Sequence, residues 1–273
     1  RPNLDVNRHF ICDTGRMDYR WLNRGDRIEA PLVRDGGRLV ATDWDHALGR
    51  MAELVKGARS AVILASGRMS TESLTFVRQM FDDTAVTAAI KVPLGDEAPL
   101  KGVPNLALRR ERVPNLHGAE LAGYSADWAG ALRAVSGADL VVVLDADLED
   151  AEITALGGAK ATVAIGTVDD DRLNTALVIV PTTNMAEENG TYVNRDGRVQ
   201  RYFQAKPAPG MSRPAWWIGS QVAAAIDPRS LTPASAAEAF GALGGVIPAL
   251  AGLGYDDLGH TGRVVNRTAE AAR

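Results

Sequence analysis

The sequence predicts an α/β fold: one open, mostly parallel sheet with helices on both faces. Three observations carry that expectation. Between residues 42 and 180, short apolar runs alternate with stretches of helical periodicity, the pattern a parallel sheet requires. The run Leu140-Val141-Val142-Val143-Leu144 is apolar at every position, as in a strand buried on both faces. A chain of 273 residues, 46% of them hydrophobic, also holds enough apolar surface for a sizeable core without disulfides.

Taken in order, residues 1–40 are polar and carry the turn signals Asn23-Arg24-Gly25-Asp26 and Asp35-Gly36-Gly37, so they read as a non-core lead of short extended pieces and loops. Thr42 reads as the N-cap of an amphipathic helix in which Trp44, Ala47, Leu48, Met51, Leu54 and Val55 recur at helical spacing up to Gly57. Residues 60–65 predict a strand, 71–81 a helix and 86–92 a weaker strand, followed by a long Gly/Pro/Asn-rich connection over 93–124. Helix 125–135, strand 139–144, helix 149–156 and strands 161–165 and 176–180 complete the alternating part. Two β-prone pieces around Asn194-Arg195-Asp196-Gly197 then predict a hairpin. A Pro-rich connector over 206–214 precedes helices at 215–225 and 233–246, the second starting near Thr232-Pro233.

Composition excludes several classes of function. Thirty Lys and Arg against 34 Asp and Glu leave a net charge of -4, so no basic field favours nucleic acid. A mean hydropathy of -0.09 is that of an ordinary soluble chain. No apolar run approaches the roughly 18–20 residues of a membrane span, and the start is not a signal peptide, so direct membrane insertion is not expected. The single cysteine, Cys12, and four scattered histidines, His9, His46, His117 and His260, form no complete metal site by themselves.

Each feature able to carry chemistry also has a structural reading. The turn Ser66-Gly67-Arg68-Met69-Ser70-Thr71 links a strand to a helix, where α/β folds bind phosphates, but it lacks both common glycine fingerprints and equally suits a tight turn. Asp145-Ala146-Asp147-Leu148-Glu149-Asp150 follows the strongest strand and could hold Mg²⁺, while acids are also favoured at helix N-termini. Asp169-Asp170-Asp171-Arg172 reads as a solvated loop, Arg109-Arg110-Glu111-Arg112 as a surface patch or docking contact, and Trp216-Trp217 as core packing. No Gly-x-Ser-x-Gly elbow is present, which argues against acyl transfer.

Read together, residues 2–16 around Cys12-Asp13-Thr14-Gly15-Arg16, the segment Ala30-Pro31-Leu32-Val33-Arg34 and the segment Trp44-Asp45-His46-Ala47-Leu48 resemble one family. It is the large iron-sulfur subunit (G type) of NADH:quinone oxidoreductase, respiratory complex I. That family is itself similar to the molybdopterin oxidoreductases, such as formate dehydrogenase. The hairpin Glu188-Asn189-Gly190-Thr191-Tyr192-Val193-Asn194-Arg195-Asp196-Gly197-Arg198-Val199-Gln200 resembles the E-x-G-T-x-x-N-x-x-G-R-x-Q element of the same fold, and Ala236-Ala237-Glu238-Ala239-Phe240 is a weaker match.

The resemblance implies an abbreviated molybdopterin-oxidoreductase-like fold, with an N-terminal extended segment and a C-terminal hairpin plus helices. It divides the chain into the end of an iron-sulfur domain at 1–40 and a scaffold domain at 41–273. Cys12 aligns with the last ligand of a [4Fe-4S] cluster, conditional on three further cysteines upstream of residue 1, and no molybdopterin is expected. The implied role is a non-catalytic, cluster-holding scaffold that passes electrons from NADH, via flavin and clusters held elsewhere, to quinone. Its partners would be flavoprotein and iron-sulfur subunits, in the cytoplasmic peripheral arm of a membrane-associated complex. Two other readings stay open: a catalytic molybdopterin-dependent oxidoreductase domain, and a free-standing α/β ligand-binding module.

Overall fold

In the computed structural model, residues 3–7, 9–11, 16–17, 19–81, 84–101 and 103–265 are described. A seven-stranded sheet organises them. Its parallel strands are β3 (Ser60–Ser66), β4 (Ala85–Lys91), β7 (Leu140–Leu144), β8 (Thr162–Gly166) and β9 (Val178–Pro181); an antiparallel hairpin, β1 (Leu32–Asp35) and β2 (Arg38–Ala41), adds to one edge. The order across the sheet is β2-β1-β9-β8-β7-β3-β4. The first parallel strand, β3, thus has its successor β4 on one side and β7 on the other. That reversal is a topological switch point, and ligands of open α/β sheets bind outside the strands' carboxyl ends there.

Alternation along the central strands explains the layering, because successive side chains point to opposite faces. Ala61, Ile63 and Ala65 of β3, with Leu140, Val142 and Leu144 of β7, face helices α1 (Trp44–Gly57), α2 (Thr71–Arg78) and α6 (Ala215–Ile226). Val62, Leu64, Val141 and Val143 face α4 (Trp128–Val135) and α5 (Asp150–Leu156). Ile63, Leu64, Leu140, Leu144 and Ile165 are wholly buried. The expected open sheet with helices on both faces is therefore present.

Local departures have physical reasons. The N-cap of α1 is Asp43, not Thr42: the Asp43 carboxylate accepts the His46 amide at 2.8 Å, and Thr42 instead contacts the His46 ring. Helix α4 starts at Trp128 behind the Asp127 cap, and α7 (Ala236–Leu243) starts behind the Ser235 cap rather than at Pro233. The connection after β4 is not irregular throughout. It contains a two-stranded arm, β5 (Ala98–Leu100) with β6 (Val103–Leu108), and a short helix, α3 (Leu116–Leu121). Ile28 and Val33, inside the lead expected outside the core, are both buried.

The predicted hairpin forms as β10 (Gly190–Val193) and β11 (Arg198–Tyr202), and β12 (Arg263–Val264) extends it. Its turn is fixed by Asn194, whose side-chain oxygen accepts the Asp196 and Arg198 amides at 3.0 and 2.9 Å. Gly197 supplies the positive φ of +75° that the turn needs. A short helix, α8 (Tyr255–Leu258), closes the C-terminal part against β11.

Candidate functional site

The switch point places two structures side by side: the N-terminus of α2 and a crevice beyond β7 and β8. Helix α2 follows directly from β3 through the Ser66–Ser70 turn, with Ser70 as N-cap accepting the Ser73 amide at 3.1 Å. In many α/β folds a phosphate sits on such a terminus. Here the hairpin covers it, and Ser70, Thr71, Glu72 and Ser73 are all 0% exposed. The Glu72 carboxylate accepts the Thr191 amide and hydroxyl and, through its other oxygen, the Tyr255 hydroxyl.

The neighbouring Glu188 accepts hydroxyls from Thr183 and Tyr202 at 2.6 and 2.7 Å. Burial pushes both carboxyls up, each to about 7, and repulsion from neighbouring carboxylates adds to the effect. Asn115 ties three segments together, donating to the Met69 carbonyl at 2.9 Å and accepting the Val193 amide at 2.8 Å. This geometry accounts for the hairpin sequence element. Gly190 leaves no room for a side chain, since a Cβ there would lie 2.5 Å from the Tyr202 hydroxyl and 2.9 Å from the Ser70 Cβ. Glu188, Gly190, Thr191 and Asn194 are thus the residues that dock and shape the hairpin.

The crevice beside this terminus encloses about 470 Å³ and is lined from the carboxyl ends of β7 and β8 and from the lead. Four arginines, Arg24, Arg27, Arg68 and Arg172, face six aspartates among its walls. Most of the cationic charge is already matched. Arg27 grips Glu187 with two bonds of 2.6 and 2.8 Å and donates to the Thr167 carbonyl. Arg24 grips Asp26, and Arg172 pairs with both Asp170 and Asp150. Arg68 lies 5.2 Å over the Trp21 ring.

Asp145 caps the central strand in a left-handed conformation, φ 48°. Its carboxylate accepts the Thr167 amide and hydroxyl at 2.8 and 2.7 Å. A non-glycine residue held there stores strain of order 1–3 kcal/mol, offset by these bonds. Burial raises the Asp145 carboxyl, against the pull of Thr167 and the nearby arginines.

The residues singled out from sequence fall as follows. Cys12 lies outside the described residues. The Ser66–Ser70 turn and Asp145 both reach the switch point, as their positions after β3 and β7 predict. Glu149 caps α5 in a reciprocal box with Glu152, so the acidic run is partly helix capping. Asp169 to Arg172 line the crevice instead of only meeting solvent. Arg109 pairs with Glu97 at the surface; Trp216 is buried, and Trp217 packs edge-on against Trp44 at 5.2 Å. Among the described residues no three His, Cys, Asp or Glu side chains are grouped to hold a metal ion, and no helix is long and apolar enough to cross a membrane. Sequence reasoning misses Glu72, Glu188 and the Arg27–Glu187 pair. The two glutamates look like ordinary helix-start and pre-hairpin acids, and the pair joins positions 160 apart.

The fold and the switch-point geometry define a class, that of the molybdopterin oxidoreductases. Residues 149–225 match the family described as Molybdopterin oxidoreductase. The fold is similar to that of acetylene hydratase from Pelobacter acetylenicus, with a TM-score of 0.56 at 8% identity over 97% of this chain and 70% of that one.

Within that class the chain is related to the polypeptides named as the G subunit of NADH-quinone oxidoreductase. It is 41% identical to that of Pseudomonas fluorescens over 29% of this chain and 8% of that protein. It is 28% identical to that of Streptomyces coelicolor over 58% of this chain and 17% of that protein, and 26% identical to that of Escherichia coli over 60% and 16%. The chain thus matches less than a fifth of the length of these relatives.

Proposed function

We propose that this chain is the scaffold part of a large iron-sulfur polypeptide in an NADH-quinone oxidoreductase-type assembly, and that it works by position. One observation carries the reading: the lead is tied to the α/β body at separate points while its apolar side chains face outward. Asn3 donates to the Thr261 carbonyl at 2.9 Å, Asp5 pairs with Arg198 at 3.2 Å, Trp21 lies under Arg68, and Arg27 is locked to Glu187. Between these ties, Leu4, Phe10, Ile11, Met17 and Tyr19 are 43–70% exposed. Apolar side chains clustered on one short segment suit a contact with a neighbouring domain or subunit.

On this reading residues 1–40 pack on an iron-sulfur domain and residues 41–273 dock flavoprotein and iron-sulfur subunits. Electrons pass from NADH through flavin and clusters held by other parts toward quinone, in the cytoplasmic peripheral arm. Cys12 supplies one thiolate to a [4Fe-4S] cluster. It is the only cysteine of the sequence, and one thiolate does not hold a cluster unaided, so three ligands come from elsewhere in the polypeptide.

The crevice does not suit a pterin dinucleotide. A diphosphate needs unmatched cations or free backbone amides. Here the helix terminus is buried under the hairpin, and six aspartates outnumber four arginines. No catalytic step is therefore assigned to this part of the polypeptide.

The test is purification of the full-length polypeptide from its own cells by an affinity tag. The expected result is co-purification with flavoprotein and iron-sulfur subunits, NADH-dependent reduction of an artificial acceptor, and no stoichiometric pterin. In that preparation, Cys12→Ser should remove or alter one cluster signal in electron paramagnetic resonance. Isolation as an iron-free monomer would overturn the assembly role, and one pterin per chain would overturn the scaffold role.

A further inference from the structure

A second cavity lies at the opposite edge of the sheet. Helix α2 starts at the carboxyl end of β3 and returns toward the amino edge, where its last turn meets the last turn of α6. Between them is a space of about 480 Å³. Its described walls are chiefly apolar: Phe76, Met80 and Phe81 on one side, with Ala223, Ile226 and Leu231 on the other. Leu231 is 60% exposed and forms the rim. That is the size and character of pockets that take small molecules with an apolar body.

One wall is cationic. Arg78 ends α2, and its Nε is buried with no hydrogen-bond partner. No salt bridge reaches it among the described residues. The guanidinium lies against Gly123, where a Cβ would sit 2.9 Å from Nε, so the glycine makes room for it. The adjacent Tyr124 hydroxyl is spent on the Leu74 carbonyl at 3.0 Å and does not serve the arginine. The pocket's own carboxylate, Asp227, is held by the fork of Arg229 at 2.8–3.2 Å, which leaves Arg78 unopposed.

A cation at a helix C-terminus is favoured by the helix dipole. That accounts for the charge but not for a buried donor left without an acceptor, which is costly unless something completes it. A planar guanidinium matches a carboxylate through two parallel bonds.

We infer that this pocket binds an aliphatic monocarboxylate, its chain among Phe76, Met80, Phe81 and Ile226 and its head on Arg78. The site is separate from the switch-point crevice and independent of the scaffold reading.

Calorimetric titration of the folded chain with octanoate and with 1-octanol tests the inference. Octanoate should bind one to one, at least tenfold more tightly than the alcohol. Arg78→Met should bring octanoate down to the level of the alcohol, while Arg78→Lys should retain part of the preference. Ala223→Phe, which fills the space without touching the charge, should weaken both ligands together. Circular dichroism identifies any variant that fails to fold; in that event the comparison of octanoate with octanol on the unmodified chain decides alone. Absence of saturable octanoate binding, equal affinity for acid and alcohol, or full octanoate affinity in folded Arg78→Met would each overturn the inference.

Discussion

The Glu72 carboxylate accepts both the amide and the hydroxyl of Thr191, at 3.0 and 3.1 Å, across 119 positions of sequence. Through this contact the start of α2 and the hairpin share one buried polar cluster. Glu188, just ahead of the first hairpin strand, stands in the same cluster.

Because both carboxyls are raised from 4.5 to about 7 in the folded state, the native chain holds more protons than the unfolded one between those values. Stability is therefore highest at and below about pH 4.5 as far as these groups go, falls as pH rises, and levels off above about 7. Each group removes on the order of 3 kcal/mol by pH 8. Glu188→Gln keeps acceptors for Thr183 and Tyr202 and should flatten this slope. Urea unfolding at pH 5 and pH 8 measures it; an unchanged slope in the variant would contradict the assignment.

Arg27 and Glu187 are a buried pair, 6% and 0% exposed. Burial pushes the Glu187 carboxyl up, but the Arg27 fork and the Asn184 amide outweigh it and leave it lowered. Arg27→Met strands the carboxylate and should cost about 3–5 kcal/mol. Arg27→Met with Glu187→Leu should cost less than either single change. Chemical denaturation of the three variants at pH 7 gives the comparison.

Gly219 of α6 rests on the backbone of α2, where a Cβ would lie 2.5 Å from the Phe76 carbonyl oxygen. Backbone does not rotate aside as a side chain does. Gly219→Ala should therefore destabilise by about 1–3 kcal/mol through overpacking, despite alanine's better helix propensity. Thermal melting reports the sign directly: a raised midpoint would show that the helices are free to separate.

Asn115 is wholly buried, donating to Met69 and accepting from Val193. Asn115→Ala leaves both partners without a mate and should cost roughly 2–4 kcal/mol. Asn115→Asp should also destabilise, because an ionised carboxylate cannot donate to the Met69 carbonyl. Amide exchange at Val193 should accelerate in both variants, and protection equal to that of the parent would exclude the role.

Much of the fold is legible in the sequence because it follows from periodicity. The Leu140 to Leu144 run, the helical spacing from Trp44 to Val55 and the Asn194-Arg195-Asp196-Gly197 turn all declare themselves within a few residues. The β5–β6 arm does not, since Pro99, Gly102 and Pro104 read as breakers and only pairing with each other makes those segments strands. The Ser66–Ser70 turn and Asp145 can be placed at strand ends from sequence. What occupies that place cannot: Glu72 resembles any acid in a first helical turn, and its burial depends on the distant hairpin. Arg27 gives no local sign of pairing with Glu187 for the same reason. The family relationship rests on short motifs, of which the hairpin element has a structural explanation in Glu188, Gly190 and Asn194.

The span between Glu72 and Thr191 also bears on how the molecule is made. Closing so wide a loop is entropically unfavourable until β4, β7, β8 and β9 have assembled and brought the two segments together. The hairpin should therefore dock late, and during synthesis the emerging chain waits with the start of α2 open to water until the ribosome has delivered residues 190–202.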